Sequence, residues 1–230
     1  MTRPRLGRPV RASALAAGAA LLLAGCGLNP GAAAVVGGTT ISDDQVDDAA
    51  TALCGANIAG AAAQGQPKPE LATRGARQAA LSLLIDSELS QQYGAANGIE
   101  PARAELSNAL AQNQQTVNAL PEDLREDFSD LLRTYVEAQL IVQEAGREAA
   151  GPDAGPEQLA AAGIQQRNEW LAEEDVEVEL DPRFGEYQDG GIDGSGGSLS
   201  IPVSDRAAAG DSTEPSPEWV SDLPLSQKCG

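Results

Sequence analysis

Histidine is absent from this 230-residue chain, lysine occurs only as Lys68 and Lys228, and aromatic residues make up 3% of the sequence. Each scarcity removes a class of function. Without imidazole there is no Ser-His-Asp or Cys-His nucleophilic machinery, and none of the zinc sites that use nitrogen ligands. The three cysteines, Cys26, Cys54 and Cys229, are too few for a four-cysteine metal site. Two lysines and scattered arginines form no basic patch for phosphate, which argues against nucleic acid as a partner. There is no Gly-x-x-x-x-Gly-Lys-Ser/Thr loop, and no Gly-x-Gly-x-x-Gly turn follows a strand, so no nucleotide cradle and no cofactor are expected. Few aromatics and abundant alanine predict helices that meet through small residues rather than around a thick core.

Long apolar runs are missing too. Nothing after Cys26 approaches the roughly 18 consecutive apolar residues of a membrane-spanning helix. The one apolar run, residues 12–25, is too short to remain as a span, and it follows Arg3, Arg5, Arg8 and Arg11 and closes on Leu23-Ala24-Gly25-Cys26. This layout resembles the lipobox of bacterial lipoproteins. The resemblance implies cleavage before Cys26, diacylglycerol on its sulfur, and a protein anchored to the outer face of the cell membrane. Residues 1–25 carry four arginines and no acid, so their removal leaves 11 basic against 34 acidic residues, a net charge of −23. With no polybasic segment, membrane contact falls to the acyl chains, and residues 26–33 serve as a tether rich in Gly and Pro.

With Cys26 set aside, Cys54 and Cys229 form an even pair in an extracytoplasmic compartment. A bridge between them would pin the tail to the first helix and add about 4–5 kcal/mol by chain entropy. The alternative is two separate thiols.

Along the chain, Ala33-Ala34-Val35-Val36 and Gly37-Gly38 predict a short strand and turn. Ser42 and Gln45 form a Ser-x-x-Gln capping box, with Ile41 and Val46 as its hydrophobic staple, opening a helix to about Ala63. A second helix is predicted from about Glu70 to Ala96, stopped by Asn97-Gly98, and a third between Pro101 and Pro121. The fourth, Glu122 to Ala149, has the widest apolar face, which suggests burial on more than one side. A fifth runs from Pro156 to about Ala172. Val176, Val178 and Leu180 then alternate with Glu177 and Glu179, as Leu199, Ile201 and Val203 do with their neighbours, and the two segments predict a ribbon. The acids from Glu173 to Asp181 read as a solvated face. Asp189 to Gly197 lacks the spacing of a calcium loop and reads as a connector. Residues 204–230, rich in Ala, Ser, Asp and Pro, read as a flexible tail with Trp219, Val220, Leu223 and Leu225 as its only anchors.

This order, Val35-Val36-Gly37-Gly38, then Thr40-Ile41-Ser42-Asp43-Asp44-Gln45-Val46 and a set of long amphipathic helices, resembles the N-terminal domain of the SurA and PrsA type of extracytoplasmic chaperones. Val176 to Gly185 looks like a segment in lipoproteins of high-GC Gram-positive bacteria that carry this domain without a parvulin module. The resemblance covers roughly residues 33–203. It implies a mainly α fold, a SurA N-terminal-like helical bundle with a short N-terminal strand and a small C-terminal β ribbon. It also implies a non-catalytic, chaperone-like function on unfolded or secreted polypeptide clients. A parvulin centre commonly includes histidines, and the gap from Ala150 to Asp175 is too short for the module, so prolyl isomerase activity is not expected.

Leu81, Leu84, Leu89 and Tyr93 on the second helix, with Phe128, Leu132 and Tyr135 on the fourth, are the candidate client contacts. Periodicity alone does not separate a client groove from a bundle core or a dimer seam. The alternative function is a scaffold that binds one folded envelope protein through its acidic surface.

Overall fold

Ser42 begins the first helix as its capping residue. In the computed structural model Gln45 N donates to Ser42 Oγ at 3.1 Å, and Ser42 N donates to Gln45 Oε1 at 2.9 Å. Ile41 and Val46 are buried on either side of this box. The structure describes residues 30–151, 153–188, 190–193, 202–210 and 215–229.

Two strands precede the cap. β1 (Ala32–Val36) turns through Gly37 and Gly38, both at positive φ, into β2 (Thr39–Ser42). The return strand is a departure from the sequence reading, which began the helix signal at Thr40. Thr-Thr-Ile-Ser is both a good strand and a cap, and pairing with β1 settles the first role.

Four long helices follow. α1 (Asp43–Ala63) and α2 (Thr73–Asn97) are joined by the proline-containing loop, and α2 ends where Gly98 takes the left-handed conformation and Ile99 N bonds Gly94 O. The single helix expected before Pro121 is broken into α3 (Arg103–Gln112) and α4 (Gln114–Ala119). At the break Asn113 Nδ2 bonds Ala109 O, a local alternative that competes with straight continuation. α5 (Arg125–Ala150) touches α1, α2, α3, α4 and α6 (Pro156–Glu173), which accounts for its wide apolar face. α5 and α6 cross at Gly146 and Gly163, each so close to the opposite backbone that a Cβ would overlap a carbonyl group.

β3 (Val178–Leu180) is predicted from the sequence to pair with residues 199–203, of which 199–201 lie outside the described residues. It lies antiparallel on the free edge of β1, giving the order β2-β1-β3. The second ribbon is instead β4 (Glu186–Gln188) with β5 (Gly191–Asp193), whose three-residue strands carry little alternation to read. Leu199 and Ile201 lie outside the described residues, and Val203 is exposed. The core sits between this sheet and the helices, where Val36, Ile41, Val46, Leu81, Ile85 and Leu89 meet with Leu131 and Phe184. The fold is thus mainly α, with an N-terminal strand pair and a small C-terminal ribbon.

Beyond residue 201 the chain forms α7 (Asp205–Gly210), α8 (Pro217–Ser221) and a 3-10 turn (Leu225–Gln227). Trp219 Nε1 donates to Arg206 O and its ring lies against Gly210, joining α7 to α8. Cys229 N bonds Leu71 O at 2.9 Å and Lys228 pairs antiparallel with Ala72.

Candidate functional site

Two clefts border the N-terminal half of α2. The larger, about 890 Å³, lies between α1, α2, the 3-10 turn at Pro182–Phe184 and the C-terminal segment, with Leu53, Leu71, Leu83, Phe184, Trp219 and Leu223 among its apolar walls. The smaller, about 840 Å³, lies between α1 and the α4 end, bounded by Ile58, Ala59, Leu124 and Cys229. Cys54 borders both. Its sulfur stands at bonding distance from that of Cys229, 175 positions away in sequence, with a Cα separation of 5.5 Å.

One rim of the larger cleft is polar. Arg77 lies on α2 with its guanidinium 5.2 Å from the centroid of the Phe184 ring. Its Nη2 is 3.4 Å from Asp43 Oδ1 and its Nε is 2.5 Å from Asp47 Oδ1. Arg183 reaches across to the same Asp43, 2.8 Å from Nη2 to Oδ2, and to Asp181, 2.9 Å from Nε to Oδ1. The hydrogen bond from Arg183 holds the Asp181 carboxyl below its ordinary pKa, and the bonds from Asp181 and Asp43 push the Arg183 guanidinium up. Asp181 therefore leaves the acidic run predicted as a solvated face, whereas Glu177 and Glu179 are exposed as expected. This network ties α1, α2 and the turn after β3 together and neutralises Arg77 and Arg183, while Arg74, which also lines the cleft, bonds Gly210 O. What the cleft offers chemically is apolar surface with paired charge at one edge.

The seven residues proposed as client contacts are not brought together. Leu81 and Leu89 are buried in the main core, and Phe128 packs with Ala52, Val117 and Leu120. Tyr93 is buried with Ile99 and Ile141, edge-on to Trp170 at 5.7 Å between centroids, and burial with nearby Glu148 pushes its hydroxyl pKa up. Leu84 and Leu132 are half-buried against these clusters, and only Tyr135 is exposed, at 42%. Leu81, Leu89, Tyr93 and Phe128 are thus buried in the core of this structure, because α5 and α2 are covered on more than one side. Cys26 lies outside the described residues.

The sequence reading passed over Arg77, Arg183 and the cleft-lining leucines of α1 and α2. Leu53 and Leu83 were visible as helical apolar residues, but their convergence with Phe184 and Trp219 is long-range. Among the described residues no group of three or more acidic or cysteine side chains is arranged to hold a metal, and no helix is long and apolar enough to cross a membrane.

The pattern that defines the SurA-like N-terminal domain family matches residues 14–133, just over half of the chain. The chain belongs to that family, a chaperone-type domain, and its match runs from ahead of β1 into the first turns of α5. Neither a curated protein nor a solved structure gives a significant match.

Proposed function

We propose that the protein is a lipid-anchored, extracytoplasmic, non-catalytic chaperone that binds unfolded or newly secreted polypeptides. The observation that carries this reading is the apolar cleft of about 890 Å³ on a chaperone-type domain, where leucines of α1 and α2 face Phe184 and Trp219. Such a surface suits extended polypeptide with apolar side chains, which needs area and backbone partners more than a shaped pocket. Cys26 is the anchor, which places the body on the outer face of the membrane, and the acidic body keeps the protein soluble and away from anionic lipid headgroups. No nucleotide enters the cycle.

The test is aggregation of several unrelated unfolded proteins in the presence of the chain from residue 26 carrying Cys26→Ser. The expected result is suppression across clients, near stoichiometric and without ATP. If a well-folded preparation leaves the aggregation of every client unchanged both with its disulfide intact and after reduction, the reading fails, and a single envelope partner bound through the acidic surface with steep salt dependence becomes the alternative.

A further inference from the structure

Residues 215–229 wall both clefts without belonging to the helical body. Trp219, Val220 and Leu223 line the larger cleft, and Lys228 and Cys229 line the smaller. The segment is joined to the body by the Cys54–Cys229 bond and by the backbone pairing of residues 228 and 229 with Leu71 and Ala72. Pro215, Pro217 and Pro224 keep it from merging into a neighbouring helix or sheet. Lys228 Nζ bonds Ser221 O at 2.5 Å and closes the segment on itself.

We propose that residues 215–229 are an internal ligand of a polypeptide-binding face on α1 and α2, and that opening the Cys54–Cys229 bond yields this face to a short apolar segment of another protein. The proposal rests on the chaperone reading and names the site and its gate. The strap itself shows what the face accepts: two adjacent apolar side chains, a third one three residues on, and a backbone that pairs antiparallel at Ala72. That is the docking of a short apolar segment, a helical turn carrying Trp219 and Val220 followed by Leu223, with a single backbone bridge at its end. Cys54 borders both cavities and the bond stands between them, so withdrawal of the strap joins them into one apolar face along α1.

The bond makes the strap a permanent occupant. Without it the strap competes only as a noncovalent intramolecular ligand, at an effective concentration on the order of millimolar. Opening requires an external dithiol. One of its thiolates attacks a sulfur of the bond to give a mixed disulfide, and its second thiol releases the protein. The donor leaves as a disulfide having given two electrons, and Cys54 and Cys229 end as thiols with two protons.

The probe is a fluorescein-labelled peptide copying residues 215–229, with serine in place of its cysteine, titrated into the chain from residue 26 carrying Cys26→Ser. Binding at least tenfold tighter after dithiothreitol than before it is expected, and the Cys229→Ser variant should match the reduced protein without reductant. Equal binding in both states, or none in either while the helical circular dichroism is intact, overturns the proposal. Should Cys229→Ser fail to fold, Trp219→Ala with Leu223→Ala weakens the strap while keeping the bond. This variant should bind the peptide more tightly still once reduced, and no gain over the reduced parent counts against the strap. Aggregation suppression that is absent in both states while the peptide binds on reduction would sink the chaperone reading and leave the strap standing. Suppression that ignores reduction, with no peptide binding, does the reverse.

Discussion

Arg167 Nη1 on α6 lies 2.6 Å from Asp86 Oδ1 on α2 and 2.8 Å from Ser90 Oγ, with the arginine side chain 6% exposed and the aspartate 45%. The arginine's Nη1 donates to Asp86 and Ser90 on α2 and its Nη2 to Asn168, while its buried Nε has no hydrogen-bond partner among the described residues.

The two ends of this pair are unequal. Asp86→Ala strands a buried cation and should cost about 3 kcal/mol, the low end for breaking a buried pair, since Asp86 itself is half in water. Arg167→Met leaves a solvated carboxylate and a filled space, and should cost clearly less. Chemical denaturation of both variants checks the order; equal losses would mean that the pair behaves as a surface contact.

Gly163→Ala sets a methyl group on the carbonyl of Val142, and no rotamer change relieves a clash with backbone. A loss of about 3 kcal/mol is expected as α5 and α6 are forced apart. Gly60→Ala is the control, because a Cβ there meets nothing within 4 Å inside α1, and it should gain up to about 1 kcal/mol. Thermal unfolding of the two variants should move the midpoint in opposite directions.

Asp181 titrates below its ordinary value in the folded protein because Arg183 donates to it. The stabilisation from this group is therefore fully present above the unfolded carboxylate value of about 3.9 and is lost as pH falls through the lowered folded value. Asp181→Asn should lower stability at pH 7 by under about 1 kcal/mol, since Arg183 is largely exposed. The gap from wild type should close below about pH 4. Unfolding free energies across pH 3–7 measure this, and a gap that stays constant would contradict it.

Ser42→Ala removes one half of the capping box and should cost about 1 kcal/mol. Ser42→Asp, which keeps an acceptor at the helix N-terminus, should recover most of it.

The local parts of this fold were legible because their causes are local. Ser42 with Gln45, Gly98 after Asn97, and Pro156 at the start of α6 each act within one turn of their own helix, and the structure places all of them as read. The stripes on α2 and α5 marked burial, but a stripe records only that a face avoids water and not what covers it. That is why Leu81, Leu89, Tyr93 and Phe128 read equally well as groove or core. Pairing of β3 with β1 joins residues more than 140 positions apart and leaves no trace in a local pattern. The clefts were illegible for the same reason, since Leu53, Leu83, Phe184 and Trp219 come from four separate elements. Arg167 did carry a signal: a charged residue between Gly163 and Trp170 interrupts an otherwise small and apolar stripe.

The central strand of the sheet is β1, with β2 on one side and β3 on the other. Homology covers the first two strands but stops at residue 133, long before β3 and before the crossing at Gly146 and Gly163. The packed unit of this structure is therefore larger than the stretch that the family pattern matches. A fragment cut at the family boundary would carry β1 with an open edge and α5 with a bare flank, the two features that drive chains to stick to one another.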